Sequence, residues 1–186
     1  MNAFTDGVVA ILITILVLEL KPPVGNHLGD ILHERGRLLA YVLSFVFVAI
    51  YWNNHHHLML VVDRIDGRTL WANIHLLFWL SLVPIGTDWI GEAGVKSGPV
   101  AVYAIVLLGC AIAFTLLTLS LLALHPADSQ LAQAIGHDRK GKVSLAVYVV
   151  AFAFSFLVPW VSVACFVVVA LIWFIPDRRI ERVVLT

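Results

Sequence analysis

The chain is 186 residues long, 61% of them hydrophobic and 13% charged, and its 12 lysines and arginines balance its 12 aspartates and glutamates. A mean hydropathy of +0.95 exceeds what a soluble domain of this size needs to fill a core, so the composition implies an all-α polytopic protein of a lipid bilayer. With a formal net charge of zero, nothing in the overall balance points to nucleic acid or to an acidic substrate.

Six apolar segments follow in chain order, at about 4–20, 38–60, 70–90, 99–124, 143–158 and 160–175, and predict one six-helix transmembrane domain over 1–186. The first runs straight out of Phe4-Thr5-Asp6-Gly7. At about 100° per residue, Ile15 and Leu18 fall within about 40° of Ile11 on one helix face, with Thr14 beside them. That ray of bulky aliphatic residues either packs against protein or lines a narrow pore. The segment has no basic n-region and no small-residue cleavage site, so it is expected to stay in the mature protein. The stretch 24–37 mixes apolar and charged residues and suggests a short interfacial helix. In the third segment Pro84 is expected to free a carbonyl and bend the helix. Gly109, Ala111 and Ala113 in the fourth permit close packing. The uncharged run from Val143 to Pro176 would make a single helix of ~50 Å, so two shorter helices joined near Pro159-Trp160 are expected. Cys110 and Cys165 lie inside apolar runs and read as small hydrophobes. No internal repeat is apparent, which argues against the inverted-repeat architecture of many secondary transporters.

Charge placement tests the count. With six spans, the loops at 61–69 and 125–142 and the C-terminal tail share one side and carry eight basic residues: Arg64, Arg68, Arg139, Lys140, Lys142, Arg178, Arg179 and Arg182. The other side carries four, Lys21, Arg35, Arg37 and Lys96. Merging the last two spans would abolish that bias, so the positive-inside rule predicts six spans with both termini cytoplasmic. Trp71, Trp89, Trp160 and Trp173 near the predicted ends fit interfacial anchoring.

Polar residues within the spans are few. Asp6 sits in the first turn of the first span, rotated by about 140° from Ile11, and is expected to point into the protein as a cap and hydrogen-bond partner, or else to serve a proton relay. The second span ends in Trp52-Asn53-Asn54-His55-His56-His57, and the third begins near Trp71 and carries Asn73 and His75. Consecutive histidines fan out around a helix and lack the spacing of a chelate, so a polar network joining the first three spans is preferred to a metal site. Histidine also titrates near neutrality, which would suit pH sensing. Glu19, at the outer end of the first span, either concentrates cations at a mouth or is an ordinary solvated carboxylate. No cofactor and no convergent catalytic set is apparent, which leaves an ion pore or a proton-coupled transporter rather than an enzyme.

Phe4-Thr5-Asp6-Gly7 followed by an AILITILVLEL-type helix resembles the bacterial branch of the transmembrane protein 175 family of potassium channels. The resemblance continues through 51–91, with a Trp/Asn/His-His cluster, an Asp-Arg turn, Leu-Trp-x-Asn, then a proline and a threonine, and through WFIPDRR at 173–179. It implies a six-helix subunit, a homotetramer around one pore lined by the first helix, and permeant K+ among monovalent cations. The family's constriction falls five, nine and twelve residues after the motif aspartate, here Ile11, Ile15 and Leu18. The residue associated with selectivity is Thr14. The motif and inter-helix network would comprise Phe4, Thr5, Asp6, His55, His56, Trp71 and Asn73, and the membrane would be the bacterial inner membrane. Two departures stand out. The family motif has serine where Thr5 stands, and it carries an arginine four residues before the phenylalanine, a position that would precede Met1. The competing expectation is a proton channel or proton-coupled transporter using Asp6 and the histidines.

Overall fold

The computed structural model describes residues 1–23, 25, 27–136 and 138–174. Among them every regular element is helical: α1 (Asn2–Leu18), a 3-10 helix (Leu28–Glu34), α2 (Arg35–Leu60), α3 (Gly67–Ser81), α4 (Val83–Ala93), α5 (Ser97–Leu122), α6 (Gln130–Ile135), α7 (Arg139–Ser155) and α8 (Pro159–Phe174). Residues 175–179 of the C-terminal motif, and Arg178, Arg179 and Arg182 of the charge argument, lie outside the described residues.

Helix starts follow local chemistry. The Asp66 carboxylate accepts from the Thr69 N–H (2.8 Å) and the Thr69 hydroxyl (2.9 Å), capping α3. Ser129 caps α6 through the Ala132 N–H, and Asp138 caps α7 through the Gly141 N–H. Asp138 does so with φ +30°, a left-handed backbone that aspartate tolerates better than most residues. Glu34 and Arg37 form an ion pair at the base of α2 (2.7 Å). The predicted interfacial stretch is the 3-10 helix, which runs directly into α2 at Arg35.

The third apolar segment departs from expectation. A single bent helix was predicted there, whereas the chain forms two helices with Leu82 between them. Pro84, in the first turn of α4, has no N–H to donate to Leu80, and the Leu82 N–H turns to the Trp79 carbonyl (3.2 Å) rather than to one four residues back. The proline therefore interrupts the hydrogen-bond ladder instead of merely bending it. The last apolar run is divided as expected. α7 ends at Ser155, Pro159 opens α8, and the two pack on each other, tied by the Ser162 hydroxyl donating to the Ala151 carbonyl (2.6 Å).

α5 forms the centre, packing on α3, α4, α7 and α8. Val100, Ala104, Leu107, Cys110, Ala113, Leu117 and Leu121 along it are buried. Water does not drive helices together in lipid, so close van der Waals fit must. Gly109 supplies that fit: a methyl group there would overlap the Trp79 ring of α3. Gly86 of α4 does the same against Tyr103, where an added Cβ would lie 2.9 Å from a ring carbon. A polar knot of Ser44, Thr87 and Tyr103 joins α2, α4 and α5, with Ser44 Oγ and the Tyr103 hydroxyl 2.8 Å apart.

α1 lies on the rim. It packs chiefly on α2, with lesser contacts to α3 and α4. Residues 29–60, 67–93 and 97–122 are long and apolar enough to cross a membrane, and α1 and α8 are apolar but shorter. The 17 residues of α1 span ~25 Å.

Candidate functional site

α1 has two faces. Thr5, Val9, Leu12 and Leu16, spaced at four, three and four residues, are buried against the bundle. Ile11, Thr14, Ile15 and Leu18 lie on the opposite side, with Ile11 59% and Leu18 78% exposed in the single chain. The sequence ray is thus one continuous surface that the subunit's own helices leave uncovered. Thr14 is the only polar side chain on it. Its hydroxyl donates to the Ile11 carbonyl (2.7 Å), which fixes the rotamer and leaves the oxygen lone pairs facing outward.

At the start of α1 the buried residue is Thr5, and it anchors a chain of hydrogen bonds. Asn73 Nδ2 of α3 donates to Thr5 Oγ1 (2.9 Å), and His55 Nε2 of α2 lies 2.8 Å from Asn73 Oδ1. An amide oxygen only accepts, so Nε2 carries the proton and His55 is the donor. All three residues are buried. These hydrogen bonds tie α1, α3 and α2 together through Thr5, Asn73 and His55.

The expectation for Asp6 requires correction. Asp6 is exposed and faces along the surface, where its carboxylate accepts from Trp52 Nε1 of α2 (2.8 Å). Facing inward is the role of its neighbour Thr5, because one residue turns a helix by about 100°. Trp52 in turn stacks on His56, with ring centroids 5.6 Å apart, and His57 bonds back to the Asn53 carbonyl. The three histidines thus diverge to three different partners. Phe4 and Trp71 do not join the network within the subunit: both are exposed, Trp71 by 73%. Glu19 stands half-buried at the C-cap of α1. Nearby, Lys21 pairs with Glu92 at 2.8 Å, which raises the lysine pKa.

Two residues with inter-element hydrogen bonds were not foreseen from the sequence. Trp52 belongs with Asp6, and its only signal was its place four residues before His56. His125 is the second. Nδ1 donates to the Leu121 carbonyl (2.8 Å), and Nε2 accepts the Asp63 N–H (3.1 Å), pinning the loop between α2 and α3 to the end of α5. A lone histidine before a proline gave no hint of that partner.

The family described as endosomal/lysosomal potassium channel TMEM175 matches residues 1–84. A potassium channel of a Chryseobacterium species is 48% identical over 182 residues, covering 98% of this chain and 95% of its own. The chain belongs to the TMEM175 family. The fold agrees: a crystal structure described as a lysosomal potassium-selective TMEM175 homolog from Chamaesiphon minutus superposes with a TM-score of 0.78 at 30% identity, covering 95% of each chain. A more distant TMEM175 relative, from Gallus gallus and named an endosomal/lysosomal proton channel, is 32% identical over 108 residues, covering 52% of this chain and 22% of its own. The stretch matched by the TMEM175 family includes both faces of α1 and the whole Thr5–Asn73–His55 chain.

Proposed function

We propose that this chain is the subunit of a potassium channel, a homotetramer in the bacterial plasma membrane whose pore is lined by the outward face of α1. Each subunit contributes six spans, with both termini cytoplasmic. The observation that carries the placement of the pore is the division of α1 into a face buried by its own subunit and an uncovered face bearing Ile11, Thr14, Ile15 and Leu18.

Four Ile11 side chains brought together form a ring that narrows the path and dewets it, raising a barrier to a hydrated ion. Ile15 and Leu18 add further apolar layers. Opening tilts or rotates α1 so that the ring widens. The Thr14 oxygens, with their hydrogens held on the Ile11 carbonyls, then offer lone pairs that replace part of the ion's hydration shell. This favours potassium over the more tightly hydrated sodium, though less strongly than rings of backbone carbonyls do. Glu19 at the far end concentrates cations. The Thr5–Asn73–His55 chain and the Asp6–Trp52 bond hold the other end of α1 to α2 and α3 as it moves.

The test is the reversal potential of purified protein in planar bilayers with potassium on one side and sodium on the other. A shift toward the potassium equilibrium potential supports the reading, and flux driven only by a pH gradient would refute it. Proton conduction is the second reading, favoured by the name of the chicken relative and by Asp6 beside the histidines. Against it, α1 between Asp6 and Glu19 offers only Thr14 as a polar group, too few to relay a proton along a chain of side chains.

A further inference from the structure

Residues of α2, α5, α6, α7 and α8 line a cavity of about 90 Å³ that includes no residue of α1. We propose that it binds a small organic cation, an aromatic or alkyl ammonium, independently of ion conduction. Phe47, Tyr51, Phe114, Tyr148 and Trp173 line it, and among the described residues Asp138 is the one acidic side chain in the lining. Tyr51 and Phe114 meet edge to face with centroids 6.1 Å apart, and Phe47 and Tyr148 lie 6.4 Å apart. The negative faces of such rings attract a desolvated cation, which is how aromatic cages hold alkylammonium groups. One of these rings already receives a cation: Lys140 Nζ lies 5.8 Å from the centroid of Trp173. Trp173 is fixed in place because its Nε1–H donates to Ser144 Oγ (2.8 Å).

The hydrogen bonding of the lining points the same way. Thr115 donates to the Ala111 carbonyl (2.8 Å), Thr118 to Phe114 (2.9 Å), Ser144 to Lys140 (2.9 Å), and the Asn54 amide to Ile50 (2.8 Å). These donors are turned into their own helices, so the Thr115, Thr118 and Asn54 oxygens are left as acceptors. Tyr148 is 1% exposed, and its hydroxyl and that of Tyr51 can each accept a hydrogen bond as well as donate one. A ligand that donates hydrogen bonds and carries positive charge matches this acceptor-rich, aromatic and acidic lining. A carboxylate or phosphate ligand does not.

The experiment is fluorine NMR of para-fluorobenzylamine, an ammonium at neutral pH, and of the neutral isostere para-fluorobenzyl alcohol. Each is titrated into the intact channel in lipid nanodiscs, with empty nanodiscs subtracted. The expected result is saturable binding of the amine, about tenfold tighter than the alcohol because one bond is charge-assisted. Asp138→Asn keeps an acceptor for the Gly141 N–H and so preserves the cap, and it should bring the amine down to the affinity of the alcohol. Ala111→Phe fills the cavity and should abolish both. Equal affinity for amine and alcohol would overturn the proposal. So would amine binding unchanged by both variants, which would place the site elsewhere, the pore included.

Discussion

Thr14 bonds only within its own helix, whereas Asn73 bridges His55 and Thr5, so their substitutions should fail in different ways. In Thr14→Val the shape of α1's outward face is kept while the outward oxygen is lost, so the potassium-to-sodium permeability ratio should fall with little change in folding. A ratio equal to wild type would remove Thr14 from the filter. Asn73→Leu leaves the His55 Nε2–H and the Thr5 hydroxyl buried without their partner, at a cost of about 1–3 kcal/mol. Its thermal unfolding in detergent should come at lower temperature, with conduction lost only as folded protein is lost. Asp66 gives a pH signature outside the membrane. The Thr69 N–H and hydroxyl bond its charged form and hold its pKa below the ordinary carboxylate value. A carboxyl whose folded-state pKa is depressed contributes stability that is present above its unfolded pKa and is lost as pH falls through the folded value. Asp66→Asn should therefore flatten the acid limb of a stability-versus-pH curve below about pH 4, and an identical limb would show that the cap does not govern it. At this scale the sequence exposed Thr5, His55 and Asn73 well, because a polar group inside an apolar span must find a partner. It misled on Asp6, whose partner Trp52 sits on the surface and answers to no burial rule.

Among the helices, the separation of α7 from α8 could be read in advance, because proline fixes its own backbone and Pro159 falls where length demands a break. The gap at Leu82 was harder to foresee. Proline withdraws a hydrogen bond from a carbonyl four residues earlier, so the disruption appears upstream of Pro84 and its severity depends on how tightly α4 is drawn onto Tyr103 of α5. Gly109 tests the packing between α3 and α5. Gly109→Leu cannot be accommodated without displacing Trp79, and the overpacking should cost about 1–3 kcal/mol, read as earlier thermal unfolding. The outward face of α1 makes the opposite prediction. Ile11→Asn and Ile11→Ala touch no buried contact of the subunit, so unfolding should be near wild type while single-channel current rises as the constriction wets. Reduced current in both variants would count against a hydrophobic barrier at Ile11.

For the assembled protein, native mass spectrometry should find four chains together, and a monomer that still conducts would defeat the pore geometry. Hydropathy outlined apolar segments along the chain, yet it said nothing about which helix occupies the rim and which the centre. Almost every helix here is apolar all round, so periodicity cannot separate a surface facing lipid from one facing protein. The central place of α5 and the rim position of α1 emerge only from contacts such as Gly109 with Trp79 and Thr5 with Asn73.

The rim position of α1 has an evolutionary consequence. Residues that hold the helix to its subunit, Thr5, Val9, Leu12 and Leu16, are not those that meet the outside, Ile11, Thr14, Ile15 and Leu18. In the proposed channel, mutations on one side would be filtered by whether the chain folds, and mutations on the other by what the folded chain does. A lineage can therefore explore new properties on the outward side by single substitutions, without compensating changes in the bundle behind it.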